Sequence, residues 1–293
     1  MLEFKDVSYS FKKSKQPILK NINFQINKGE IVGLVGSNGA GKTTLMKLIA
    51  KSRKPSKGSI FLNEINLNEK PNLLDDVGIM VDPVFYPHLS PKENIEFYLE
   101  INNKLKYIRD IDFILDLVGL LHVKNKPVKS FSFGMKQRCC LAICLITRPS
   151  LVIMDEPFVG LDPEGVSKLI DTLKSFANDN DMTILISSHQ LNELHAVCSR
   201  YLHLNNGEIK AFEMDNRRKK TLYFNTHFND DLIKDLTDKF DFIIEIKENK
   251  IIIDENSDGM SQILNKLSKS HHLINVEAHQ NDLYQLFDEN VVS

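Results

Sequence analysis

No stretch of this 293-residue sequence stays apolar for the roughly 18 residues that crossing a bilayer requires. The opening MLEFKDVSYS carries charges where a secretory leader would hold its apolar centre, so the chain is expected to remain in the cytoplasm. Cysteine is scarce: Cys139, Cys140, Cys144 and Cys198 form no Cys-x-x-Cys pair, and three of them fall in the apolar run CCLAICLI. There cysteine acts as a small buried hydrophobe, which favours packing over metal or redox chemistry. A strong net charge is missing too. Lys plus Arg number 37 against 39 Asp plus Glu, a net −2, so no basic field invites nucleic acid and none is expected as a partner. The one dense basic block, Arg217-Arg218-Lys219-Lys220, reads as a solvated linker, with juxtamembrane or partner contact as the lesser reading.

What is present is a globular composition, 42% hydrophobic and 26% charged, in a chain long enough for one large α/β domain or two domains. Leu2, Phe4, Ile22, Phe24 and Ile26 recur with period two, as in strands that bury one face. GEIVGLVG is continuously apolar, as a strand buried on both faces would be, and it runs straight into GSNGAGKTTLMKLIA. Gly36, Gly41, Lys42 and Thr43 match G-x-x-x-x-G-K-[ST] between a strand and a helix, as phosphate binding requires. The glycines let backbone N–H groups turn inward, and the helix adds its positive end. Lys42 is placed to neutralise the β- and γ-phosphates, and Thr43 to offer its hydroxyl to Mg2+.

A second apolar strand over residues 151 to 154 ends in Asp155 and Glu156, at the end of a parallel sheet where ligands gather. Asp155 is suited to hold Mg2+, directly or through water, and Glu156 to orient or deprotonate the water that attacks the γ-phosphate. The strand in TILISSH ends at His189, a polar contact for the same phosphate.

In this order, GSNGAGKTT, FSFGMKQR, LVIMDEP, GLDP and SSH resemble the nucleotide-binding subunit of ATP-binding cassette (ABC) transporters, over about residues 1 to 212. The resemblance implies a P-loop NTPase: a RecA-like core with an antiparallel β-subdomain and a helical subdomain over about residues 90 to 148. It implies an ATPase with ATP and Mg2+ as ligands, peripheral on the inner face of the membrane, serving separate membrane-spanning permease subunits. It also implies a second nucleotide-binding subunit, a copy or a paralogue, with each ATP held between one phosphate loop and the partner's signature segment. The loop Gly36, Ser37, Asn38, Gly39, Ala40, Gly41, Lys42, Thr43 and Thr44 then binds the phosphates. Phe11 stands where an aromatic stacks on adenine, with Tyr9 competing. Ser132 and Gly134 match signature positions that touch the partner's ATP, Asp162 matches the loop crossing the dimer interface, and His189 matches the γ-phosphate histidine. Phe131, Phe133 and Met135 replace the usual Leu, Gly and Gln and read as packing around that clamp.

One departure falls on the residue that usually links metal, water and membrane partner. Asp82 stands nearest the position where the family has Gln, and as a third metal-side residue it accepts hydrogen bonds without donating any. An acidic residue before xPxFYPxLS resembles exporters of peptide antibiotics and lantibiotics. Ser90, Pro91 and Glu93 give an N-cap, a first-turn proline and a capping-box glutamate. Helices follow with Ile95, Tyr98 and Leu99, then with Ile111, Ile114, Leu115 and Val118. The groove beside Asp82 and Tyr86 is where a permease's coupling helix would dock, unless Phe85 and Tyr86 are simply core. Residues 213 to 293 read strand, helix, strand, strand, helix, strand, a small α+β, ferredoxin-like domain, with a last helix at NDLYQLFDE and an accessory or regulatory role. The alternative is a soluble ABC-type ATPase not coupled to transport.

Overall fold

The computed structural model describes residues 1–11, 16–82, 84–213, 219–254, 259–267 and 271–278. Arg217 and Arg218 of the basic block and the helix expected at NDLYQLFDE lie outside them. By its contacts the chain divides into two compact units, Met1–Met214 and Asp215–Ser293.

In the first unit, β1 (Leu2–Tyr9), β2 (Leu19–Ile26), β4 (Lys57–Leu62) and β5 (Ile65–Asn66) make an antiparallel sheet in the order β2-β1-β4-β5. On β1 the buried residues are Leu2, Phe4, Val7 and Tyr9, a pattern that slips by one between Phe4 and Val7. The slip is a bulge. Asp6 sits at φ 52, the pairing register shifts there, and the extra residue restores the apolar side chains to one face. Gly58 faces it on β4, where an added Cβ would lie 2.3 Å from the Asp6 carbonyl oxygen.

The second sheet holds β3 (Ile31–Val35), β6 (Val77–Met80), β7 (Leu151–Asp155), β8 (Thr183–Ser187), β9 (Arg200–Asn205) and β10 (Glu208–Glu213) in the order β10-β9-β3-β8-β7-β6. All neighbours are parallel except β10 on β9. Every residue of β3 and β8 is buried, as continuous Val/Ile/Leu strands covered on both faces require. The expected strands at residues 151 to 154 and 183 to 186 are therefore present, and both end on the same edge as β3.

Helices α1 (Lys42–Ile49), α2 (Pro91–Ile101), α3 (Ile111–Leu117), α4 (Phe133–Leu145), α5 (Pro163–Asn180) and α6 (Leu191–Val197) complete the unit. At the start of α2, Ser90 accepts from the Glu93 amide and the Glu93 carboxylate accepts from the Ser90 amide, a full capping box with Pro91 behind it. Asn94, buried, accepts from the Tyr86 amide at 2.6 Å and donates to the carbonyls of Tyr86, Leu89 and Ser90, which pins the loop ahead of the helix.

The second unit is β11 (Lys219–Phe224), α7 (Asp230–Lys239), β12 (Ile243–Lys247), β13 (Lys250–Asp254), α8 (Gly259–Leu267) and β14 (Leu273–Ala278). The strands are antiparallel in the order β12-β13-β11-β14, the ferredoxin-like arrangement. Its core is Leu222, Phe224, Leu236, Ile251, Ile253 and Ile263.

All four cysteines are buried and free. Burial pushes the Cys139 thiol up to about 12 and the Cys140 thiol up to about 11, and raises Cys144 and Cys198 as well. Such thiols have almost no thiolate at neutral pH. The folded protein is therefore expected to give no reaction with Ellman's reagent at pH 8, and all four thiols to react once guanidinium unfolds it.

Candidate functional site

The turn from β3 into α1 is shaped by what lies beneath it. A Cβ on Gly36 would meet the Leu204 carbonyl oxygen of β9 at 2.3 Å, so the loop can lie against β9 only with glycine there. Gly41 takes φ 112 and caps α1 in the left-handed region. Lys42, 9% exposed, folds over the loop and donates to the carbonyls of Gly36 (2.7 Å) and Ser37 (3.2 Å). Burial lowers the Lys42 pKa, and the nearby charges of Glu156 and Asp155 oppose that.

Thr43 lies in the first turn of α1 and Asp155 closes β7; the threonine hydroxyl donates to Asp155 Oδ2 at 2.6 Å. The other carboxylate oxygen, Oδ1, accepts from the Ser187 hydroxyl at the end of β8. Glu156 follows at φ 53, with its amide donating to the Ser187 carbonyl at 3.0 Å. That conformation is uncommon for a side chain of this size, and it brings Oε2 to 2.8 Å from His189 Nδ1 and 3.3 Å from the His189 amide. Gln137 of α4 donates to the Glu156 carbonyl at 3.3 Å.

Lys42, Thr43, Asp155 and Glu156 border an open cleft of about 370 Å3 also lined by Phe11, Ile18, Asn38, Gly39, Gly41 and Thr44, a volume within the range of small-molecule sites; His189 is outside that lining and reaches it through Glu156. Phe11 faces it, 37% exposed, with the Arg53 guanidinium 4.9 Å from its ring centre. Tyr9 is buried, and its hydroxyl accepts from Arg53 at 2.9 Å, so of the two aromatics Phe11 is the one at the cleft. Thr43 and Asp155 form an all-oxygen donor pair of the kind Mg2+ takes together with phosphate oxygens. Among the described residues no group of three or more His, Cys, Asp or Glu could hold a metal, and one carboxylate with one hydroxyl suits an ion whose remaining ligands are phosphate and water.

Asp82 is not brought to that pair. β6 ends at Met80, the chain turns away, and Asp82 pairs with Lys47 of α1 at 2.9 Å. It borders a separate hollow of about 360 Å3 with Val81, Val84, Tyr98, Cys140 and Ile143. Neither Phe85 nor Tyr86 beside it is core: Phe85 is half-buried and Tyr86 exposed.

The signature-like segment also lies apart from the cleft. Ser132 caps α4, accepting from the Met135 amide at 3.3 Å, and Asp162 caps α5, accepting from the Gly165 amide at 2.9 Å. Phe131 is buried as expected, but Phe133 is 67% exposed; it does not pack around the segment, because α4 starts there and turns that side chain outward. Gly134 faces Gly160, and a Cβ on Gly160 would lie 2.4 Å from the Gly134 Cα. Ser187, Gln137, Arg53 and Gly160 were not singled out from sequence; only Ser187 carried a signal, standing beside the histidine at the end of an apolar strand.

Residues 19–159 match the family described as ABC transporter. YcbN of Bacillus subtilis (strain 168), an uncharacterised ABC transporter ATP-binding protein, is 40% identical over 185 residues, 61% of this chain and 59% of YcbN, so the chain spans less than two thirds of that relative. The bacitracin transport ATP-binding protein BcrA of Bacillus licheniformis is 34% identical over 262 residues, 86% of this chain and 84% of BcrA. A solved ATP-binding subunit of an ABC transporter superposes with a TM-score of 0.68 at 29% identity, over 74% of this chain and 91% of its own. The fold and these relatives define a P-loop NTPase of the cassette type. The chain belongs to the ABC transporter family of ATP-binding proteins.

Gly160→Ala forces a left-handed alanine against the Gly134 backbone. It is expected to destabilise the first unit by about 2 kcal/mol, read as a lowered urea midpoint.

Proposed function

We propose that this chain is the ATP-binding and hydrolysing subunit of an ABC transporter, whose closure on ATP powers export through separate permease subunits. The observation that carries the reading is the convergence of Lys42, Thr43, Asp155 and Glu156 on one cleft. Phosphates lie on the inward N–H groups of the loop and at the start of α1, with Lys42 against the β- and γ-phosphates. Thr43 and Asp155 would hold Mg2+, which when bound supplies charge neutralisation at those phosphates. Glu156 orients the attacking water, and His189, bonded to its carboxylate, holds the γ-phosphate. Phe11 offers a flat face to adenine.

Ser132, Gly134 and Asp162 lie away from the chain's own cleft, which fits their service to a second nucleotide-binding subunit, a copy or a paralogue. Ser132 is exposed at the start of α4, where a phosphate of the partner's ATP could approach it, and Gly134 lets the same segment lie close against Gly160. The hollow beside Asp82, largely apolar in its lining and with Val84 on it 77% exposed, suits a helix from a permease and favours transport over a free-standing ATPase. That reading places residues 1–212 as the nucleotide-binding domain, peripheral on the inner face of the membrane. The name of BcrA and the motif at Asp82 support a peptide antibiotic as cargo. The BcrA alignment extends beyond the length of the first unit, which supports reading residues 213–293 as an accessory unit, for regulation or dimer support.

Glu156→Gln is expected to lower ATP turnover about 10²- to 10⁴-fold and to accumulate an ATP-bound dimer on size exclusion; unchanged turnover would remove Glu156 from the chemistry. Ser132→Arg is expected to abolish turnover while the isolated subunit still binds a fluorescent ATP analogue. Normal turnover in that variant would return the segment to a packing role.

A further inference from the structure

Ser187 is a buried group that bonds both the Asp155 carboxylate and the Glu156 main chain, and neither the motif nor the family roles assign it a task. Its side chain is 0% exposed, and a hydroxyl so placed must find partners inside the protein. It finds them in the site. The carboxylate of Asp155 can only accept, so the Ser187 proton points to Oδ1. That leaves a lone pair toward the Glu156 amide, 3.3 Å away, which also donates to the Ser187 carbonyl.

Asp155 is thereby held by two hydroxyls from two elements, Thr43 on Oδ2 and Ser187 on Oδ1, and its carboxylate plane cannot turn without losing one. Glu156 is held in its left-handed conformation by the same residue. Ser188, also buried, does something different: its hydroxyl accepts from the Gln190 amide at 3.0 Å. The two adjacent serines thus separate site support from local turn support.

We propose that Ser187 is a positioning residue that locks the Asp155 carboxylate and the Glu156 main chain in one fixed relation, so that the ion-holding and water-orienting groups move together. This rests on the ATPase reading above.

The test uses the full chain as wild type, Ser187→Ala and Ser188→Ala, with Mn2+ and a non-hydrolysable ATP analogue, read by electron paramagnetic resonance. Nucleotide binding in EDTA and the thermal midpoint are measured beside it. Ser187→Ala is expected to weaken Mn2+ binding about tenfold and to slow ATP turnover, with metal-free nucleotide binding held at the wild-type value and the thermal midpoint lowered by roughly a few degrees for the lost buried hydrogen bond. Ser188→Ala is expected to bind Mn2+ as wild type does. Equal Mn2+ binding in Ser187→Ala, an equal loss in Ser188→Ala, or a parallel fall of metal binding and metal-free nucleotide binding would each overturn the positioning role. Failure of the wild type itself to bind Mn2+ with the analogue would instead sink the ATPase reading, and the positioning role with it.

Discussion

The hydrogen bond from Thr43 to Asp155 joins residues 112 apart in the chain, and the rest of the site is arranged around it. It exists because β3, β8 and β7 lie side by side and parallel, so that the loop into α1 and the end of β7 open on one edge. Parallel neighbours need crossovers, and the crossovers put helices on the faces and leave the strand ends as the one place where loops can meet. The middles of the strands are apolar because both faces are covered. The polar residues of the site, Asp155 and Ser187, stand at the strand ends.

A second set of contacts ties this edge to the segment proposed to serve a partner subunit. Gln137 reaches from α4 to the Glu156 carbonyl, and Gly134 lies against Gly160 just beyond the same glutamate. Both contacts are made to main-chain atoms, so α4 is packed directly against the loop after β7. A ligand at the start of α4 would therefore bear on Glu156 through packing.

Much of this was legible locally. The apolar runs of β3, β7 and β8 announced buried parallel strands, Ser90 with Pro91 and Glu93 announced the start of α2, and the order of elements after residue 219 announced the ferredoxin-like unit. The phosphate loop and the acidic strand end marked the cleft. What escaped were contacts set by three-dimensional neighbours: the bulge at Asp6, Arg53 over Phe11, Gly160 under Gly134, and Ser187 beneath Asp155. Periodicity reports which side chains are buried and not which distant backbone they meet. Asp82 and Phe133 were misplaced for a related reason, because a motif position fixes a residue's place in the chain while the end of β6 and the start of α4 decide where its side chain points.

Where the second subunit is a copy of this chain, the proposed arrangement holds each ATP between one chain's Lys42 and the other chain's Ser132. Mixing Lys42→Ala with Ser132→Arg tests it directly, since each variant alone has no complete site while a mixed pair has one. Two inactive preparations, combined in equal amounts, are expected to recover about a quarter of wild-type turnover, as random pairing of two-fold dimers would give. Turnover that stays at the level of the separate variants, across a range of protein concentrations, would contradict it.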